Sequence, residues 1–241
     1  MNAWQKRFSP ALLMAALLAG CGGGGGASVQ VPTFPLLSAV KAVNANGFTA
    51  TFTAAITVIN PATGALVTCR ANGNSSTSAA TTAATFEGQP ALSATGTVTV
   101  NVLASADCNA ATTTETIIGY FDSNYIDLGY SMVGGEYAVF QAPPVVPVSV
   151  KVGDTAIVGT EDIYTNSTKT TSNGTEVHSF IVEAETFSTA IVNNISKTID
   201  TIGNVTSTTQ ARWRITEAGA LTPISVDVLY ANGDSLNIQF D

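Results

Sequence analysis

Short segments of alternating apolar and polar residues fill the chain after about residue 45. Val98, Val100 and Val102 alternate with Thr and Asn, and the last two segments alternate equally cleanly. A period of two is that of a β-strand with one buried face. In the last two segments one face carries apolar side chains: Ile224, Val226, Val228, Tyr230, Leu236, Ile238 and Phe240. The other carries Ser225, Asp227, Asn237 and Gln239. These patterns predict an antiparallel sheet with one polar face.

Turn residues separate these segments. Asn60-Pro61 and Gly64 form one turn cluster, and Asn232-Gly233 is typical of a two-residue hairpin. Residues 71–80 are polar and of low complexity, and we expect a loop there. Long apolar repeats with the 3.6-residue period are missing after the N-terminal segment, so no helix is predicted.

The chain divides at a proline-rich stretch. Residues 31–141 are predicted to form a first β meander, residues 142–149 a linker with three prolines, and residues 150–241 a second meander. Thr85-Phe86 and Thr186-Phe187 mark a weak internal repeat. We therefore predict an all-β fold of antiparallel meanders, whose two similar halves form a curved half-barrel, a barrel or a sandwich. In architecture alone, a half-barrel of this kind resembles that of lipoprotein carriers.

The N-terminal segment has the layout of an export signal. Lys6 and Arg7 precede the apolar residues 11–19, and Leu18-Ala19-Gly20-Cys21 closes the segment. This tetrapeptide resembles the lipobox of bacterial lipoproteins. The resemblance implies a signal peptide over residues 1–20, cleavage before Cys21 and lipidation of that cysteine. Residues 21–30 would then be a lipidated, glycine-rich tether.

The resemblance also implies an address. Gly22, rather than Asp, follows the cysteine, which favours the outer membrane over the inner one. We expect the mature protein to face the periplasm. The resemblance leaves open the alternative that it is displayed on the outer surface of the cell. The lipid anchor would be its contact with the membrane.

Charge excludes some partners. Only 11% of the residues are charged, and signal cleavage removes two of the nine basic residues while leaving all 17 acidic ones. An acidic chain of this kind is a poor match for nucleic acid or anionic headgroups. An envelope protein or an apolar ligand remains a possible partner.

Three cysteines are present. With Cys21 assigned to lipid, Cys69 and Cys108 remain, and an oxidising compartment favours a disulfide between them over two buried thiols. No C-x-x-C motif occurs, and His178 is the sole histidine. Neither a metal site nor a cofactor is predicted.

Catalytic signatures are weak. No G-x-S-x-G motif is present. His178 is either a general base oriented by Glu176 or a polar residue on the exposed face, and we expect the latter. The carboxylate pairs are predicted to lie on a solvated acidic face: Glu161/Asp162, Glu183/Glu185 and Asp122/Asp127. The aromatic residues of the first half are predicted to belong to the core or to a belt between the meanders: Tyr120, Phe121, Tyr125, Tyr130, Tyr137 and Phe140.

Three functions fit these features. The favoured one is a membrane-anchored periplasmic lipoprotein with a non-enzymatic binding or envelope-structural role, for which no catalytic residue is assigned. The second is a carrier or sensor of an apolar or lipid ligand, with an apolar cavity lined by residues such as Val226, Ile238 and Phe240. The third is an envelope glycan hydrolase, which needs two carboxyl groups facing across a cleft, one with a raised pKa.

Overall fold

The computed structural model describes residues 31–60 and 63–241 of the chain. One helix and thirteen strands make up this part. In chain order they are α1 (Leu36–Asn46), β1 (Phe48–Ile59), β2 (Leu66–Thr77), β3 (Thr82–Phe86), β4 (Gln89–Val102), β5 (Ala111–Phe121), β6 (Asp127–Met132), β7 (Tyr137–Phe140), β8 (Thr155–Tyr164), β9 (Ser172–Ala184), β10 (Thr189–Ile199), β11 (Val205–Thr216), β12 (Leu221–Tyr230) and β13 (Ser235–Phe240).

The strands form one antiparallel sheet that closes on itself. From β4 to β13 each strand pairs with the next along the chain, β13 then pairs with β1, and β1 pairs with β2. Pairing between β2 and β4 completes the ring, so twelve of the described strands form a closed barrel. The prediction of an all-β antiparallel fold is confirmed, with the barrel as the form it takes. Residues on both sides of the 142–149 stretch belong to this one sheet, because β7 pairs with β8.

Closure depends on a segment that the sequence analysis assigned wrongly. Residues 71–77 belong to β2 and not to a loop: Ala71 pairs with Val102, and Thr77 with Gly96. Small residues are required here, because a Cβ on Gly73 would lie 2.5 Å from the Phe52 ring. The outward face of the segment is polar and solvent-accessible, because Asn72 and Asn74 are exposed.

The helix was also missed by the sequence analysis. Leu36, Ala39, Val40 and Val43 recur at helical spacing, but over only three turns. Gly47 ends the helix at φ 71°, and its N–H donates to the Val43 carbonyl. A side chain at this position would meet the Thr77 carbonyl oxygen, so glycine is needed for the tight passage into β1.

Helix α1 lies across one end of the barrel. Its N-terminal part is tied to the 143–150 segment, where Leu37 N–H donates to Pro147 O and Phe34 pairs with Val150. At its other end, Asn44 Nδ2 donates to the Tyr125 carbonyl. Its buried residues pack against inward side chains of β8–β11, among them Val158, Phe180, Val182, Val192 and Ile215. The helix therefore closes one end of the barrel interior with apolar contacts.

The aromatic residues of the first half divide between the two faces of the barrel wall. Phe121 and Tyr130 are buried and line the interior. Tyr137 lies on the opposite face, where Phe86 of β3 stacks on Tyr120 at 4.4 Å and contacts Tyr137 at 5.4 Å. The predicted aromatic cluster is thus two clusters, one inside the barrel and one covered by β3 on the outside.

The predicted disulfide is confirmed. Cys69 and Cys108 are bonded, with a Cα–Cα distance of 5.8 Å. Cys21 and the glycine tether lie outside the described residues, so the predicted lipidation stays a prediction. Within residues 31–60 and 63–241, no helix has the length and apolar character needed to span a membrane.

Candidate functional site

A cavity of about 160 Å³ lies in the barrel interior beneath helix α1. Val43 and Asn44 of the helix form part of its wall, and inward residues of the strands form the rest. Most of these side chains are apolar or aromatic. The aromatic ones are Phe48, Phe52, Phe121, Tyr130, Trp213 and Phe240. A concave, largely apolar wall with a few polar groups is the usual form of a small-molecule site.

Edge-to-face contacts hold two of these aromatic pairs in place. The Phe48 and Trp213 rings lie 5.3 Å apart at 84°, and those of Phe52 and Phe240 lie 5.9 Å apart at 82°. Such arrangements fix ring orientation, because the positive edge of one ring meets the negative face of the other. The aromatic wall is therefore pre-organised.

The residues predicted for an apolar site do meet at this cavity. Val226 pairs with Ile238 across β12 and β13, Phe240 pairs with Phe52, and the cavity is lined by all three predicted residues. They lie inside a closed barrel and not on the open concave face of a half-barrel. The period-two pattern of β12 and β13 was sufficient to place them together.

Two carboxyl groups interrupt the apolar wall. Asp127, at the start of β6, and Glu161, in β8, both line the cavity. Burial raises the pKa of Asp127 well above its ordinary value, the Glu161 charge raises it further, and His178 opposes the shift. Asp127 therefore keeps its proton to a higher pH than an exposed aspartate does.

A hydrogen-bonded polar cluster lies behind Glu161. His178 Nε2 is 3.1 Å from Glu161 Oε2, and His178 Nδ1 is 3.0 Å from Ser196 Oγ. Adjacent strands β8, β9 and β10 bring these three residues together on the inward face. The ring of Phe140 covers the imidazole at 5.4 Å. All three polar residues are buried, and His178 is only 1% exposed.

The cluster continues toward the other end of the barrel. Glu176 Oε1 is 3.9 Å from His178 Nδ1, and Glu176 Oε2 accepts a hydrogen bond from Thr198 Oγ1 at 3.3 Å. Thr198 in turn accepts one from Ser207 at 3.0 Å. Burial raises the pKa of Glu176, with His178 opposing the shift. For His178, burial lowers the pKa, but the hydrogen bond and charge of Glu161 outweigh it and leave the pKa raised.

The placement of His178 corrects the sequence analysis. The prediction of an exposed histidine is wrong, because residues 176, 178, 180 and 182 of β9 all face the interior. Glu176 is not its main partner either, since Glu161 makes the shorter contact. Polar and apolar residues share this inward face, so alternation alone could not identify it.

The carboxylate pairs separate in the structure. Glu161 is buried, while its neighbour Asp162 accepts a hydrogen bond from Gln141 on the outside. Glu183 and Glu185 form ion pairs with Arg212 and Arg214. Asp122 accepts hydrogen bonds from the backbone N–H groups of Asn124 and Ile126, whereas Asp127 lines the cavity. Only Asp127 and Glu161, which come from different predicted pairs, meet at the candidate site.

Ser196, His178 and Glu161 are linked in the order of a nucleophile, a base and an orienting acid. Neither Ser196 nor His178 lines the cavity, and both are nearly inaccessible. A nucleophile needs space for the reacting carbon beside it. The arrangement therefore acts as a buried hydrogen-bond network in this structure. In the described part of the chain, no group of three His, Cys, Asp or Glu side chains is arranged to hold a metal ion.

Two inward polar side chains have buried atoms without a partner. Neither the Nδ2 nor the Oδ1 atom of Asn194 is hydrogen-bonded, and Asn194 is only 3% exposed. In β10 it pairs with Ala211, a residue of the cavity wall. Glu115 Oε2 is likewise unpaired, and burial raises the pKa of Glu115 to about 7. Sequence reasoning missed both residues, although their strand positions share the parity of Ile117 and Val192.

Comparison with known proteins gives few matches. No family model matches the chain, and no curated protein matches it. Among solved structures, it is similar to a DUF1329 family protein from Desulfovibrio piger, with 9% identity and a TM-score of 0.36. The match covers 86% of this chain and 92% of the other. At that TM-score the likeness supports no inference about function.

Proposed function

We propose that this protein is an envelope lipoprotein whose barrel binds one small apolar or amphipathic molecule in the interior cavity. The observation that carries the binding role is the cavity itself, with aromatic walls and two carboxyl groups on one side. The lipobox-like sequence before Cys21 supports the membrane anchor and an outer-membrane address facing the periplasm. Binding, rather than catalysis, fits a polar cluster whose serine and histidine do not reach the cavity.

The size of the cavity limits the ligand. A volume of about 160 Å³ compares with engineered apolar cavities of roughly 150 Å³ that accept benzene. A ligand with one ring or a short chain therefore fits the cavity.

Trp213 gives a direct measurement of binding. It lines the cavity, and the second tryptophan of the sequence, Trp4, lies in the predicted signal peptide. We expect toluene to change the emission of Trp213 saturably. Val226→Phe, which fills the cavity, should weaken binding about tenfold or more.

Leu229→Phe is the matched control for that variant. Leu229 lies on the same strand but is 59% exposed. This variant should bind toluene as the unaltered protein does. Absence of a saturable change in the unaltered protein, together with no bound small molecule in its native mass spectrum, would contradict the binding role.

Lipidation has a separate test. Cells expressing the full chain should incorporate labelled palmitate into the protein, and Cys21→Ala should abolish the label. A variant with Cys69→Ala and Cys108→Ala keeps the lipobox and should keep the label. Equal labelling of the Cys21→Ala variant would rule out the anchor without bearing on the cavity.

A further inference from the structure

We propose that the ligand of the cavity carries an ammonium group on an apolar or aromatic body, and that this group binds at Asp127. The inference rests on the proposed function and adds the chemical class of the ligand.

Charge around the cavity favours a cation. The acidic side chains in its wall are those of Asp127 and Glu161, and no described Lys or Arg lines it. The described arginines of the second half lie elsewhere: Arg212 binds Asp227, and Arg214 binds Glu185. An anionic ligand would meet two acidic groups with no basic side chain in the wall.

Asp127 is available to a ligand. Its carboxyl group lines the cavity, and it forms neither a hydrogen bond nor an ion pair with any described residue. Glu161 differs, because its carboxylate is already bound to His178 at 3.1 Å. A desolvated carboxylate without donors is costly, and an ammonium group supplies both N–H donors and the opposite charge.

The rest of the cavity suits an amine with an apolar body. Phe48, Phe121, Tyr130 and Trp213 present aromatic surface to the interior. Aromatic faces attract cations by about 0.5–2 kcal/mol, more strongly where water is excluded. The opposite wall, with Val226, Val228 and Ile238, offers apolar contact alone. An amphipathic amine satisfies both parts of the cavity.

Proton release should accompany binding. The titratable groups that act on Asp127 are Glu161 from β8 and His178 from β9, and these two already bind each other. Burial raises the pKa of Asp127, and an ion pair with an ammonium group would lower it again. Benzylamine binding should therefore release a proton over the pH range in which the unliganded carboxyl group is protonated. Calorimetry in buffers of different ionisation enthalpy, repeated over a series of pH values, detects this release.

The test compares ligands of one shape and different charge, by Trp213 emission at pH 8. We expect benzylamine to bind about tenfold or more tightly than benzyl alcohol, and benzoate to bind most weakly. Asp127→Asn should remove the advantage of benzylamine and its proton release, while toluene binds within about twofold of its original affinity. Toluene binding thus shows that the variant is folded and its cavity intact. Asp107→Asn, an exposed control, should behave as the unaltered protein does.

The two proposals fail in different ways. If toluene and benzyl alcohol bind and benzylamine binds no more tightly, the cation preference is wrong and the binding cavity stands. If Asp127→Asn retains the preference for benzylamine, the assignment to Asp127 is wrong. If none of the four probes binds and the native mass spectrum shows no bound small molecule, the binding function and the ligand class are both overturned.

Discussion

His178 Nε2 lies 3.1 Å from Glu161 Oε2 on neighbouring strands inside the barrel. Both side chains are buried, and the other imidazole nitrogen, Nδ1, is hydrogen-bonded to Ser196 Oγ. Every hydrogen-bonding atom of the imidazole therefore has a partner. This relationship makes β8, β9 and β10 depend on one another at the middle of the barrel wall.

Removing one partner of this pair should be costly. We expect Glu161→Ala to destabilise the fold by about 3–5 kcal/mol, because it leaves a buried imidazole nitrogen unpaired. Urea denaturation at pH 7 measures the loss. Lys169→Met removes the exposed ion pair between Lys169 and Glu87 and should change stability far less. Equal losses from the two variants would contradict a structural role for the buried pair.

Stability should fall as the pH rises from weakly acidic to weakly alkaline values. Burial raises the pKa of Glu115, Asp127 and Glu176, and that of His178 is raised through Glu161 against the effect of burial. A group with a raised pKa contributes stability that is complete below its unfolded pKa and lost as the pH rises through the folded one. Thermal melts should therefore give a higher Tm at about pH 5.5 than at about pH 8.

Glu115 provides a single-residue test of this dependence. Its pKa of about 7 means that folding opposes its ionisation at pH 8. Glu115→Gln should raise stability there by about 1 kcal/mol, after allowance for the solvent that reaches the carboxyl, and change little at pH 5. Glu217→Gln, at an exposed position, is the control. A gain of equal size at both pH values would show that ionisation of Glu115 is not the cause.

Alternation predicted the apolar part of the barrel well. Val226, Ile238 and Phe240 were placed together because apolar and polar residues alternate through most of β12 and β13, with Leu229 as an apolar residue on the exposed face. A hairpin does join these strands at Asn232-Gly233, but the predicted two-residue turn is wrong. Of the two residues only Gly233 has a positive φ, and Tyr230 N–H donates to the Asp234 carbonyl around a three-residue loop. The disulfide between Cys69 and Cys108 was predicted from the number of cysteines and the expected compartment. These features depend on local signals, which a single sequence contains.

Other parts of the molecule depend on contacts between distant segments. The inward face of β9 carries Glu176 and His178 beside Phe180 and Val182. Because this face is partly polar, the sequence of β9 does not show which of its two faces points into the barrel. His178 can be buried because Glu161 of β8 and Ser196 of β10 supply hydrogen-bond partners. The alternation of residues within one strand gives no information about such partners on neighbouring strands. Barrel closure by β2 and β4 also depends on contacts between distant segments. In the sequence, small residues such as Gly73 are typical of a loop, and only the structure shows that Gly73 is needed because Phe52 packs against it.

The disulfide should contribute substantially to stability. It links residues 39 apart, and the chain-entropy model gives about 4 kcal/mol for a loop of that length. We expect the variant with Cys69→Ala and Cys108→Ala to lose about this amount in urea denaturation. Dithiothreitol should destabilise the unaltered protein and leave the variant unaffected. Sensitivity of the variant to the reductant would point to a different cause.

Gly73 should tolerate no side chain, because it is where β2 passes under the Phe52 ring to reach β4. A Cβ there would lie 2.0 Å from the Thr99 carbonyl oxygen and 2.5 Å from Phe52 Cζ, so one strand must shift. We expect Gly73→Ala to destabilise the barrel by about 1–3 kcal/mol in urea denaturation. Gly96→Ala is the matched control, since its Cβ would approach no atom closer than 3.5 Å and also faces the cavity. If the two variants are equally stable, the contact between Gly73 and Phe52 does not govern closure of the barrel by β2 and β4.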